Sequence, residues 1–154
     1  MTSSTEVVLS AILDNHMRHA RTPEEIAEVV REAVDVTHPL WPTLLYLWDR
    51  PCTTFQDDGE HAFPGHQLRV STDPESGWGA LNFVLADEEA GGAWNTLNPE
   101  PAETAPELVF DVDAEHHFER TAALPLDTIR EAVTEFTTTG ERPTSVLWQP
   151  STRF

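Results

Sequence analysis

Hydrophobic and polar positions along the chain predict a sequence of short strands and two helices. Val7, Leu9, Ala11 and Leu13 alternate with less apolar residues, as in a half-buried strand, although so short a run is also compatible with a helical start. Thr22-Pro23-Glu24-Glu25 then reads as an N-cap, a proline at the first helical position and the glutamate of a capping box. Ile26, Val29, Val30 and Ala33 follow at helical spacing, and the helix is expected to end near Val36, before His38-Pro39. Leu44 to Trp48 is an apolar run bounded by prolines, the pattern of a buried strand. Cys52 to Gly65 is polar and reads as a loop or a weak hairpin.

The strongest hairpin signal comes next. His66–Thr72 and Trp78–Leu85 are predicted strands joined by the turn Asp73-Pro74-Glu75-Ser76-Gly77. Leu81, Phe83 and Leu85 share one face of the return strand, and Trp78, Ala80, Asn82 and Val84 share the other. Further strands are expected at Ala93–Leu97, Leu108–Val112 and Ser145–Gln149, with a loop from Asn98 to Pro106. Leu126–Thr138 is predicted to be the second helix, with Ile129, Val133 and Phe136 inward and Gly140 as its terminator. These elements predict an α+β fold: a single antiparallel sheet of about six strands with two helices packed on one face. Residues 1–154 are read as a single domain, because no linker divides them.

Charge changes the picture more than any motif does. The chain carries nine basic residues, all arginine, against 27 acidic ones, for a formal charge of −18. Between Arg69 and Arg120 there are twelve Asp or Glu and no Arg or Lys. Such a field repels phosphate backbones and anionic membrane surfaces, so neither nucleic acid nor membrane is expected as a direct partner. It accelerates encounter with a basic protein, although solubility alone also accounts for acidity. The lone Cys52 excludes an intramolecular disulfide and fits a reducing cytoplasm. The N-terminal residues do not read as a secretory signal, and no apolar run approaches the length of a membrane span.

Catalytic signatures are weak. His116-His117 lies among acids, but adjacent histidines on a strand point to opposite faces, and neither an HExxH pattern nor a cysteine pair is present. Cys52 has no recognised nucleophile context, and Gly77-Trp-Gly79 and Gly91-Gly92 do not form phosphate cradles. No catalytic residue, metal ligand or cofactor is assigned, and the chain is read as a binding protein rather than an enzyme. Trp41, Trp48, Trp94 and Trp148 are expected to be core residues. Trp78 has two readings: an exposed interface anchor, or a residue packed beneath a loop.

Two segments resemble a known family. The first is His66-Gln-Leu-Arg-Val-Ser-Thr-Asp-Pro-Glu-Ser-Gly-Trp-Gly-Ala-Leu-Asn-Phe83. The second is Leu124-Pro-Leu-Asp-Thr-Ile-Arg-Glu-Ala-Val-Thr-Glu-Phe136, continued by Gly140-Glu-Arg-Pro-Thr-Ser-Val-Leu-Trp-Gln-Pro150. Together they resemble immunity protein family one of bacterial polymorphic-toxin systems, from about Thr22 to Pro150. The likeness is weakest at Cys52–Gly65 and Asn98–Glu107. It implies an α+β inhibitor of a cognate toxin domain, and the toxins linked to such proteins are often zinc-dependent nucleic-acid (cytosine) deaminases. The groove of such a toxin must attract phosphate, and an acidic inhibitor would match it. Charge and position nominate Asp57, Asp58 and Glu60, then Asp73, Glu75 and Trp78, then Asp87, Glu88 and Glu89 as partner-binding residues. The rival reading is an acidic interaction module that regulates a partner other than a toxin.

Overall fold

The computed structural model describes residues 7–14, 16–36, 42–52, 63–86, 91–111 and 116–151. Its first strand, β1 (Val8–Leu13), turns at Asp14, which has φ +48°, into β2 (His16–Ala20). Helix α1 (Pro23–Asp35) follows. The Thr22 hydroxyl accepts the Glu25 N–H at 3.1 Å, and the Glu25 carboxylate accepts the Thr22 N–H at 3.1 Å, so the expected capping box is formed. The Arg21 N–H, at 3.0 Å, and the Thr22 N–H both donate to the Glu25 carboxylate and hold its pKa below the usual range.

Strands β3 (Thr43–Trp48), β4 (His66–Asp73), β5 (Trp78–Leu85) and β6 (Gly92–Leu97) come next. They are followed by β7 (Val109–Asp111), β8 (His116–His117), a 3-10 turn at Arg120–Ala122 and β9 (Leu124–Pro125). Helix α2 (Leu126–Thr139) ends at Gly140, whose φ of +67° is the left-handed conformation glycine adopts without strain, and β10 (Leu147–Pro150) completes the described elements.

The main sheet is antiparallel, in the order β10-β6-β5-β4-β3-β1-β2, with β9 on the start of β5. The α+β class therefore holds, with both helices on one face, but among the described residues the sheet has eight strands rather than about six and is accompanied by a second sheet. The predicted strand at Leu108–Val112 leaves the main sheet and pairs with β8 in a two-stranded ribbon. The unforeseen β2, His-Met-Arg-His-Ala, is an edge strand, where only one residue in five need be buried and the alternation that marks a strand is lost.

Leu9, Leu45, Leu68, Val70, Leu81 and Phe83 face the helices and meet Val29, Val34, Ile129, Val133 and Phe136 in one buried cluster. Gly79 makes the helix approach possible: a Cβ there would stand 3.1 Å from the Ile129 side chain and 3.0 Å from that of Thr72. A smaller cluster lies on the opposite face, where Ala80 is covered by Leu108, Phe110, Phe118, Ala122 and Ala123. Among the described residues no helix is long and apolar enough to cross a membrane.

Candidate partner-binding surface

The β4–β5 turn is held by its own backbone. The Gly77 N–H donates to the Asp73 carbonyl at 2.9 Å, the Ser76 hydroxyl donates to the same oxygen at 3.2 Å, and Gly77 adopts φ +81°. This geometry leaves Glu75 exposed and Asp73 half-exposed. Trp78 points away from the helices, as its alternation with Leu81 requires, and packs half-buried against the smaller cluster. The ring packs against the cluster of Leu108, Phe110, Phe118, Ala122 and Ala123 and retains some accessible surface.

Asp57, Asp58, Glu60, Asp87, Glu88 and Glu89 lie outside the described residues. Their described neighbours still place the ends from which they leave. Asp73 pairs with Trp78 at one end of the hairpin, while His66 pairs with Leu85 at the other, next to the bond from the Ala86 N–H to the Gly65 carbonyl. Seven residue steps of strand separate the two ends by about 24 Å. The Asp73 turn and the two other acidic segments are thus attached to opposite ends of one hairpin.

The turn has acidic neighbours that local sequence reasoning missed. The Leu126 N–H donates to the Gly77 carbonyl at 2.9 Å, which sets the start of α2 against the turn. Asp127 follows immediately, 95% exposed, and Arg130 one turn later is ion-paired with both Asp127 and Asp35. Both carboxylates raise the Arg130 pKa. Asp35 closes α1, where a helix dipole disfavours an acid, so Arg130 offsets an unfavourable position. The result is one edge carrying Asp73, Glu75, Asp127 and Asp35. No local signal links Asp35 to Arg130, which lie 95 positions apart in sequence.

Most of the C-terminal motif is structural. The Glu135 carboxylate accepts from the Thr144 N–H at 2.7 Å, the Thr144 hydroxyl at 2.9 Å and the Ser145 N–H at 3.0 Å, and these donors hold its pKa below the usual range. The Trp148 indole N–H donates to the Pro143 carbonyl at 2.7 Å, and the Arg142 guanidinium stacks 4.5 Å from the centre of the Trp94 ring. Together these contacts tie α2 to β10. Among the described residues no group of three or more His, Cys, Asp or Glu side chains is placed to hold a metal ion.

Comparison with known proteins gives a consistent result. No curated protein matches the chain. The family model of the immunity protein Imm1 matches residues 14–150, a span that includes both helices, the β4–β5 hairpin and the Gly140–Pro150 motif. This family is one of immunity proteins and not of enzymes, and the chain belongs to it.

Proposed function

We propose that this immunity protein neutralises its cognate toxin by occlusion: its acidic surface covers the basic, phosphate-attracting groove of a zinc-dependent nucleic-acid deaminase, most specifically one acting on cytosine. The observation that carries this reading is the stretch between Arg69 and Arg120, with twelve acids and no Arg or Lys, in a chain of formal charge −18. A deaminase attacks a base held in single-stranded or flipped nucleic acid, so its groove must be cationic, and an acidic inhibitor takes the place of the substrate's phosphates. The proposed contacts are Asp57, Asp58 and Glu60, Asp73, Glu75 and Trp78, and Asp87, Glu88 and Glu89. The proposed site of action is the cytoplasm.

The test is co-expression with the toxin domain encoded beside this gene, scoring host survival and sequencing the DNA and RNA of intoxicated cells. Death without this chain, rescue with it and accumulated cytosine-to-uracil or cytosine-to-thymine changes are the expected results. Rescue from a toxin that leaves base sequences intact would remove the deaminase. A neighbour that is not toxic, or is toxic without rescue, would replace the toxin reading by that of a regulatory module.

A further inference from the structure

We draw no further inference here: the strongest candidate, the apolar trough between α1 and α2 lined by Ile26, Ala27 and Val30, carries nothing, because its charged residues Arg31, Asp35 and Arg130 are already held in ion pairs and nothing in the structure shows what covers it.

Discussion

On the helix side of the sheet, Leu45, Leu68, Val70, Leu81 and Phe83 pack against Val29, Val34, Ile129, Val133 and Phe136, and burial without direction holds the layers together. On the other side, one row of cross-strand neighbours reads Arg69, Asn82, Asn95 and Gln149. There the Asn82 amide donates to the Asn95 side-chain oxygen at 2.9 Å, Asn95 donates to Glu119 at 3.2 Å, and Gln149 donates to the Thr121 hydroxyl at 3.1 Å and to the Thr96 carbonyl at 2.9 Å. The Thr96 hydroxyl donates to the Ala122 carbonyl at 2.7 Å. The first face stabilises by area and fixes the two helices as a rigid pair. The second adds directional bonds to a smaller apolar cluster and so holds residues 119–123, whose Ala122 and Ala123 lie buried in that cluster. A hydrogen-bonded face contributes less net stability than an apolar one of the same size, but it specifies one arrangement more strictly.

Removing a core side chain should break this comparison most visibly. Phe136 is fully buried between His66 and Phe83, and Phe136→Ala is expected to cost about 3–5 kcal/mol in denaturant unfolding. A loss under about 1 kcal/mol would show that the helix face is not the main source of stability. Asn82→Ala is expected to cost about 1–3 kcal/mol, because it leaves the Asn95 oxygen without its donor. Its effect should also be local: faster amide exchange at Asn98, whose N–H donates to the Thr121 carbonyl, with α2 amides unchanged. Uniformly faster exchange would mean that the two faces unfold as one unit. Thr22→Ala removes the cap of α1 and should cost about 1 kcal/mol, read as a lower thermal midpoint.

The smallest effect is a pH dependence on the helix face. The His66 Nε2 accepts the Leu47 N–H at 3.2 Å, and the ring stands edge-on to Phe136. Burial holds its pKa below 6.5 in the folded protein, so the unfolded chain binds the proton more readily. Stability contributed by neutral His66 is therefore complete above pH 6.5 and is lost as pH falls from there through the folded value. His66→Gln should flatten this part of the stability profile relative to wild type. Parallel profiles for the two proteins would assign the dependence to other groups.

Elements that announce themselves locally were legible in the sequence. The Thr22–Glu25 capping box, the Asp73–Gly77 turn between alternating strands and the glycine ending α2 each depend on residues a few positions apart. Strand β2 was not legible, because an edge strand needs little apolar alternation, and neither was the departure of β7 into its own ribbon, because a strand's run does not name its partner. The candidate surface was half legible. The acidity and the turn acids Asp73 and Glu75 were, but 27 acids carry no information about which of them gather. Asp127 and Asp35 join the turn only through the packing of α2 against it and against α1, a contact between residues far apart in sequence.

The most direct test of the central claim is the rate at which this protein associates with its toxin domain as salt is varied. An acidic inhibitor that covers a basic groove is expected to associate through electrostatic steering, with the rate falling by about tenfold or more from low to high ionic strength while nucleic acid competes for the same toxin surface. A tight complex whose association ignores salt, and which still admits nucleic acid to the toxin, would contradict occlusion by charge and assign inhibition to contacts away from the groove.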